Sequence, residues 1–319
     1  MSPPPSKVLG VALPARGTVV LLHGVSMTCD VWAPYLRALA DAGWAVLTYD
    51  MWGHGDSAVP RDVEFTPGLL AAQLAGVLDE LGLTGPVHVV GFSLGCYVGA
   101  LFAANCSARV ASVSFLAPAA GFNSAAVNDT DFTGRNAVLN LLAKGLRVYK
   151  GVPLVARLVS PWGGFVLRCM ARAAGPTRQQ LAGLFYAQTR AMSVSGCSSP
   201  LSAAVQRVWG YINALRFLAA SWLWQHARSP REGVLKSIVC HGEILSSDTT
   251  PMLRRLAAAR LPTLLVFGSD DPLVPQSVVG RCESLFHHAH VCQVKAGHNL
   301  VLHALPQVRQ ALLTFLDQM

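Results

Sequence analysis

The chain has 319 residues, of which 52% are hydrophobic and 13% are charged, and its formal net charge is +8. This length and apolar content allow one sizeable core with a large insertion. No segment reaches about 18 consecutive uncharged apolar residues, so a transmembrane helix is not expected.

Short apolar runs separated by helical segments recur along the chain. Six of them predict strands, at 19–22, 46–49, 87–90, 110–116, 264–267 and 291–294. The helical segments include an amphipathic stretch at 303–316. Strands that alternate with helices are typical of a mostly parallel sheet with helices on both faces, so the pattern predicts an α/β fold.

The third apolar run passes directly into a Gly-x-Ser-x-Gly sequence at 91–95, and a helix-like stretch follows at 96–105. A strand, a sharp turn and a helix around a central serine form a nucleophile elbow, which holds the hydroxyl out of the chain. Gly91 and Gly95 permit the turn, because a side chain at either position would clash with adjacent elements. Ser93 is therefore a candidate nucleophile.

An acid and a histidine follow this serine in the order used by hydrolases with such an elbow. The strand-like run at 261–268 ends in Ser-Asp-Asp-Pro, which places Asp270 and Asp271 at its carboxyl edge. The next short strand leads through Lys-Ala-Gly to His298. By position alone, either aspartate could be the acid, and His298 is the candidate base.

Together these segments resemble the α/β-hydrolase fold superfamily, and further motifs extend the resemblance in family order. Thr18–Leu22 and the His-Gly-Val-Ser loop at 23–26 resemble the oxyanion strand and loop. Residues 50–57 match the pattern D-x-x-G-x-G-x-S, and residues 268–275 match the acid turn G-x-x-D-x-x-x-P. The acid-turn match assigns the acid role to Asp271. The resemblance covers residues 1–118 and about 250–319.

The resemblance implies acyl transfer by a triad. Ser93 would attack a carbonyl, His298 would take its proton, and Asp271 would orient the histidine. The backbone N–H groups of Val25 and Leu94 would bind the oxyanion. The resemblance implies neither a cofactor nor a metal.

Each candidate also has a structural interpretation. Ser93 could be a turn serine in a fold that has lost its activity, and Asp271 could be a turn residue before proline. His23 and His54 are expected to hydrogen-bond loop backbone near the site. Cys96 is expected to pack beneath the elbow.

The predicted organisation has three parts: a core segment at 1–118, a helical cap at 119–250 and a second core segment at 251–319. Residues 132–231 contain 13 Arg or Lys and no Asp or Glu. The rest of the chain has 12 basic and 17 acidic residues, so the excess positive charge belongs to the cap. The stretch 208–224 is strongly apolar and aromatic and predicts a buried or interfacial helix.

Two interpretations of the cap remain open. A basic, apolar cap could dock on an anionic membrane surface, where each nearby basic residue contributes about 1 kcal/mol. Alternatively, its apolar residues cover the site as a folded lid and its basic residues form a solvated outer face. Nucleic-acid binding is disfavoured because no recognised nucleic-acid module accompanies the charge.

The substrate class follows from a narrower resemblance. The loop at 23–26 with Trp32 nearby, the Gly-Phe-Ser-Leu-Gly elbow and the Ala-Gly-His segment resemble the monoacylglycerol lipase and carboxylesterase branch. This implies a hydrophobic ester of the monoacylglycerol or lysophospholipid type. Alternatives are a small polar lactone, thioester or diketone substrate, and a catalytically idle binding protein. Epoxide hydrolases and haloalkane dehalogenases are disfavoured, since they need a carboxylate at the position of Ser93.

Cysteine usage bears on the compartment. Eight cysteines lie at irregular positions, and residues 1–5 lack the charged-then-apolar organisation of a secretory signal. This favours reduced thiols without structural disulfides in a cytoplasmic protein, with peripheral membrane association through the cap as the open alternative.

Overall fold

A computed structural model describes residues 8–11, 16–25, 27–58, 63, 66–118, 122, 249–271, 274 and 276–319. The predicted cap lies outside the described residues, apart from Phe122, Thr249 and Thr250 at its ends. Predictions about its basic and aromatic segments therefore stay predictions. Five of the cysteines lie in the described ranges, and no disulfide joins any two of these five.

Seven strands form one sheet in the described part of the chain, in the order β1-β3-β2-β4-β5-β6-β7. Their bounds are β1 Val8–Val11, β2 Thr18–Leu22, β3 Ala45–Tyr49, β4 Val87–Phe92, β5 Val110–Leu116, β6 Thr263–Gly268 and β7 His290–Val294. β1 pairs antiparallel with β3, and the other pairings are parallel. The six predicted strands and the α/β fold class are confirmed, whereas the short edge strand β1 was not predicted.

Helices cover both faces of the sheet. Their bounds are α1 Ala33–Asp41, α2 Pro67–Glu80, α3 Leu94–Asn105, α4 Thr250–Ala258, α5 Gln276–Leu285, α6 Leu300–His303 and α7 Leu305–Leu316. Two 3-10 helices lie at Cys29–Trp32 and Ser107–Arg109. Among the described helices, none has the length and hydropathy to cross a bilayer.

The C-terminal amphipathic stretch differs from its prediction at its start. The sequence predicts one continuous amphipathic stretch from 303 to 316. In the structure, α6 and α7 are separate helices with Ala304 between them, where the backbone has φ −119° and ψ 36°. Pro306 lies in the first turn of α7, where its missing N–H costs no intrahelical bond. Its ring cannot follow a continuous preceding helix, so α6 ends before α7 begins.

Side chains of the central strands alternate between two cores. In β2, Val20 and Leu22 belong to the core beneath α2 to α5, while Val19 and Leu21 belong to the core beneath α1 and α7. This alternation follows from the two-residue period of a strand. Because both faces are buried, the strands read as continuous apolar runs in the sequence. The carboxyl edge of the sheet is left to carry the polar site.

Candidate active site

The turn between β4 and α3 holds Ser93 in a strained conformation. Its φ of 51° and ψ of −112° lie in a region that residues other than glycine rarely adopt. The backbone N–H of Ser93 donates to the carbonyl of Leu116 at 3.1 Å, which ties the turn to the end of β5. Neighbouring structure thus fixes the position of the serine.

The two glycines of the elbow have no room for side chains. A Cβ on Gly91 would lie 2.4 Å from the carbonyl of Gly95. A Cβ on Gly95 would lie 2.3 Å from the carbonyl oxygen of Leu22 in β2. Both distances are far below contact, so the turn requires glycine at both positions, as the sequence predicted.

Cys96 lies directly beneath the elbow and is fully buried. Its Sγ is 3.1 Å from the carbonyl oxygen of Gly91 and 3.3 Å from that of Leu116. Burial raises the pKa of the Cys96 thiol, so the sulfur keeps the hydrogen that it donates to these carbonyls. The predicted packing position is confirmed, and the thiol also joins the ends of β4 and β5.

The acid turn and the histidine loop are hydrogen-bonded to each other through backbone. Ser269 N–H donates to Val294 at 2.9 Å, and Asp270 N–H donates to Ala296 at 3.0 Å. A Cβ on Gly268 would lie 2.4 Å from the oxygen of Ala296, so this close approach depends on glycine. The two loops therefore form one unit at the carboxyl edge of β6 and β7.

The structure brings Ser93, His298 and Asp271 into one hydrogen-bonded series. His298 Nδ1 lies 2.9 Å from Asp271 Oδ2, and His298 Nε2 lies 2.9 Å from Ser93 Oγ. Because a carboxylate can only accept, Nδ1 carries the hydrogen and Nε2 is left to accept from the serine hydroxyl. Asp271 rather than Asp270 makes the contact to the histidine.

This series is shielded from water. The side chain of Asp271 has no exposed surface, that of His298 is 9% exposed, and the phenyl ring of Phe92 packs 5.4 Å from the imidazole. Removal from water strengthens the charge interaction that would form between Asp271 and a protonated imidazole. The site can therefore stabilise a proton held on His298 while the serine reacts.

The predicted oxyanion donors lie on two elements that meet at Ser93. Leu94 is the first residue of α3, and the first N–H groups of a helix have no partner within it. Gly24 packs so closely that a Cβ on it would lie 3.0 Å from the Phe92 ring and 3.3 Å from Ser93 Cβ. Val25 follows Gly24 and is half-buried. The role of Val25 and Leu94 in binding an oxyanion stays a prediction.

His23 is a structural histidine, as predicted. Its Nε2 lies 3.0 Å from the N–H of Met51, which can only donate, so Nδ1 carries the hydrogen and donates to Gly24 at 2.8 Å. Burial lowers the pKa of His23, which keeps it neutral. His54 Nδ1 lies 3.1 Å from the carbonyl of Trp52 and contacts loop backbone in the same way.

The sequence indicates Asp50 only as part of a family motif and predicts no role for it. Its carboxylate is buried and accepts the N–H of Cys29 at 2.7 Å and the N–H of Asp56 at 3.1 Å. A buried carboxylate needs such donors to offset the loss of water. The signal in the sequence was an acidic residue directly after an apolar strand, with glycines three and five positions later.

Two curated relatives align with about a third of this chain. The dihydrolipoyllysine-residue acetyltransferase component of the acetoin cleaving system of Cupriavidus necator is 39% identical over 108 residues, which are 34% of this chain and 28% of that protein. The 2-hydroxy-6-oxononadienedioate/2-hydroxy-6-oxononatrienedioate hydrolase of Burkholderia vietnamiensis is 37% identical over 108 residues, which are 32% of this chain and 36% of that protein. The matches thus span about a quarter to a little over a third of each relative's length.

A solved structure and a family model cover far more of the chain. The crystal structure of bromoperoxidase from Bacillus anthracis superposes with a TM-score of 0.64 at 20% identity, over 97% of this chain and 94% of that one. At this identity the likeness concerns the fold alone. The family model of the alpha/beta hydrolase fold matches residues 17–304. With that match over most of its length, the chain belongs to the alpha/beta hydrolase fold family.

Proposed function

We propose that this protein is a serine hydrolase that cleaves carboxylic esters with a hydrophobic acyl chain, of the monoacylglycerol or lysophospholipid type. The observation that supports it most directly is the hydrogen-bonded series of Ser93, His298 and Asp271, with both contacts at 2.9 Å. A serine held in a strained elbow beside a correctly oriented imidazole is the arrangement that nucleophilic catalysis requires.

The proposed reaction has two steps, acylation of the serine and hydrolysis of the acyl-enzyme. As Ser93 Oγ attacks the carbonyl carbon, its proton moves to His298 Nε2, and Asp271 stabilises the imidazolium. The N–H groups of Val25 and Leu94 bind the oxyanion. The attack forms a tetrahedral intermediate. When this intermediate collapses, His298 gives the proton to the leaving alcohol, and an acyl-enzyme remains. Water, deprotonated by His298, then releases the acid and restores Ser93.

The preference for a hydrophobic acyl chain depends on the sequence of the cap. Residues 119–250 lie between the two core segments and are rich in apolar and aromatic residues, above all at 208–224. Such a segment could wall a pocket for an alkyl tail. The narrower resemblance to monoacylglycerol lipases and carboxylesterases supports the same substrate class.

A series of p-nitrophenyl esters from acetate to palmitate tests this proposal. We expect the highest kcat/KM at medium or long chains. Ser93→Ala should lower the rate by at least about 10³-fold, because the nucleophile is lost. Ser284→Ala, at an exposed serine whose hydroxyl donates to Gly280, is the matched control and should keep full activity. A peak at acetate would refute the lipid part, and comparable rates in Ser93→Ala would refute the serine mechanism.

A second candidate is hydrolysis of a small polar metabolite, such as a lactone, a thioester or the carbon-carbon bond of a diketone. The relative in Burkholderia vietnamiensis, named as a hydrolase of oxononadienedioates, favours this alternative. The same triad could serve it, since fold and triad do not determine the leaving group. A vinylogous diketone cleaved with higher kcat/KM than every ester of the series would establish it.

An idle binding protein is the alternative outside enzymes. A fluorophosphonate reacts with a serine only when the serine is activated. We expect it to label the folded protein at Ser93 and to leave Ser93→Ala unlabelled. Folded wild-type protein that remained unlabelled would favour the binding protein over either hydrolase.

We also propose that the cap binds peripherally to an anionic membrane surface. Its motivation is the excess of basic residues at 132–231. Electrostatic attachment of this kind requires anionic lipid and weakens with salt. In a sedimentation assay we expect the protein to bind phosphatidylserine vesicles at low salt and to be released at high salt. If equal amounts of protein sedimented with neutral and with anionic vesicles, the proposed membrane contact would be contradicted.

A further inference from the structure

The loop from residue 23 to residue 29, here called the oxyanion loop, is fastened at its first end by His23. The imidazole accepts the N–H of Met51 at 3.0 Å and donates to Gly24 at 2.8 Å. Met51 belongs to the segment that follows β3, so this ring links the ends of two neighbouring strands. The first turn of the oxyanion loop is thereby attached to the segment after β3.

Asp50 fastens the other end of the same loop. Its Oδ1 accepts the N–H of Cys29 at 2.7 Å, and Cys29 begins the 3-10 helix that closes the oxyanion loop. Its Oδ2 accepts the N–H of Asp56 at 3.1 Å. Charge-assisted bonds of this kind are about twice as strong as neutral ones. The carboxylate therefore holds the loop against residues 50–56.

Close packing fixes the carboxylate itself. Asp50 is 1% exposed, and a Cβ on Gly55 would lie 2.0 Å from Asp50 Oδ2. Gly55 has a φ of 54°, so its backbone also requires glycine. The segment after β3 is thus shaped around Asp50, which leaves the carboxylate no room to shift.

These contacts surround Val25 from two sides. Gly24, immediately before it, packs against Phe92 and Ser93, and Cys29 after it is held by the buried carboxylate. We propose that Asp50 is a positioning residue, which sets the location of the Val25 N–H through its bond to Cys29. This inference rests on the proposed function, because it assigns to Asp50 the placement of an oxyanion donor.

Loss of the carboxylate should act on the transition state more than on substrate binding. In Asp50→Asn, one side of the amide is an NH2 group, so a single oxygen remains for two backbone N–H groups, and one of them faces a donor instead of an acceptor. The loop end then loses its alignment, and a displaced oxyanion donor lowers turnover by about 10-fold to 100-fold. Ester binding depends mainly on other contacts, so KM should change by less.

The test compares wild type, Asp50→Asn and Asp41→Asn, with active sites counted by fluorophosphonate titration. Asp41 is an exposed carboxylate on α1 and serves as the matched control. We expect Asp50→Asn to lose at least about tenfold in kcat per titrated site, with KM within about twofold. Its Ki for a trifluoromethyl ketone, whose serine adduct carries an oxyanion, should rise in proportion. Asp41→Asn should match wild type.

The outcomes separate this inference from the proposed function. A folded wild type that neither labels nor turns over refutes the proposed function. An active wild type with kcat per titrated site preserved in both folded Asp50→Asn and folded Cys29→Pro refutes the role of Asp50, because a merely structural residue lowers only the number of titrated sites.

If Asp50→Asn does not fold, Cys29→Pro decides by the same readouts. This variant keeps Asp50 and removes the N–H group that Asp50 accepts. Residue 29 is the first position of the 3-10 helix, where proline is tolerated. The preceding Thr28 is extended, with φ −131° and ψ 169°, as a residue before proline should be. Loss of kcat with a raised ketone Ki supports the role of Asp50, and wild-type values refute it.

Discussion

Single glycines decide where the reacting groups lie. Gly91 and Gly95 allow the elbow to pack against β2 and against its own helix, and Gly268 allows the acid turn to reach the histidine loop. In each case the missing side chain lets two backbones approach within a distance that no Cβ could occupy. The strained φ of Ser93 persists because this surrounding backbone leaves it no alternative.

The elbow should therefore be intolerant of a single methyl group. Gly95→Ala would place its Cβ 2.3 Å from Leu22 O, and we expect the free energy of unfolding to fall by about 1–3 kcal/mol or more. Gly76→Ala is the matched control in α2, where nothing lies within 4 Å of the added carbon. It should raise the free energy of unfolding by about 0.5–1 kcal/mol. Urea denaturation measures both free energies of unfolding. A wild-type value for Gly95→Ala would contradict the packing argument.

Buried histidines predict how stability depends on pH. Burial lowers the pKa of His23 and of His88 from 6.5, and for His88 the charge of Arg16 adds to the effect. Below pH 6.5 the unfolded chain therefore binds protons that the native state does not. Stability is fully present above this pH and falls as the pH drops below it.

His88→Asn checks the sign and the source of this dependence. The amide could still donate to Ser112, which lies 2.8 Å from His88 Nδ1. We expect the free energy of unfolding to fall less steeply with acidification than in wild type, because one proton-binding difference is removed. Urea melts over a pH series give the slopes, and identical slopes in wild type and His88→Asn would be the contrary result.

At the scale of elements, local backbone chemistry fixes several helix ends. Thr66 begins α2, with its hydroxyl accepting the N–H of Leu69 at 3.2 Å, and Pro67 takes the first helical position. α4 ends less favourably, because Arg260 follows its last turn with a φ of 50°. A glycine normally occupies this left-handed position after a helix.

Arg260→Gly should stabilise the protein. Glycine adopts the left-handed conformation without steric cost, so we expect the free energy of unfolding to rise by about 0.5–1 kcal/mol. Arg255→Gly makes the same substitution within α4 and should lower it by about 1 kcal/mol, since glycine is unfavourable inside a helix. Thermal and urea denaturation of the two variants provide the comparison. Destabilisation by Arg260→Gly would show that the arginine side chain contributes more than the strain removes.

Elements were predictable where one local property determined them. The strands β2 to β6 are buried along most of their length, so their apolar runs stand out in the sequence. β7, at the other edge of the sheet, is largely exposed. β1 has four residues, including Gly10, and pairs at the sheet edge with β3 alone. Such a strand depends on its neighbour for its conformation, and nothing in its own residues distinguishes it from a loop. Pro306 is the sequence signal for the break at Ala304. The predicted stretch at 303–316 follows the amphipathic pattern, which continues across this break.

At the scale of the whole molecule, the two core segments are joined by buried polar contacts as well as by the sheet. The hydroxyl of Tyr35 in α1 donates to the carbonyl of Val301 in α6 at 2.6 Å, across 266 positions of sequence. Val301 lies three residues after His298. This bond therefore fastens the end of the histidine loop to the opposite segment of the chain.

Removal of this hydroxyl should cost stability. Tyr35→Phe leaves a buried carbonyl without its donor, so we expect a loss of about 1–3 kcal/mol in the free energy of unfolding. Tyr49→Phe is the control, because the buried Tyr49 hydroxyl has no hydrogen-bond partner in the described part of the chain. Its removal should be neutral or stabilising. Equal losses in the two variants would indicate that packing, rather than the hydrogen bond, is responsible.

The triad positions could be predicted because each residue lies in a short motif directly after a strand. Asp50 also lies in such a motif, and Cys96 lies beside the elbow, but neither position indicates which groups the side chain contacts. Asp50 reaches Cys29 across 21 positions, and Cys96 reaches Leu116 across 20. These bonds form only after the sheet has assembled, so a reading along the chain gives the residues but not their partners.

The strand order has a consequence for how such a protein can diverge. β5 and β6 are adjacent and parallel, with Leu116 beside Val266, and α4 is the described helix that directly precedes β6. A single helix is enough for a crossover between parallel neighbours, so we expect a chimera with another insertion in place of residues 119–248 to keep the sheet and the triad. Fluorophosphonate labelling of grafted chimeras would test this, and a folded chimera that is not labelled would contradict it.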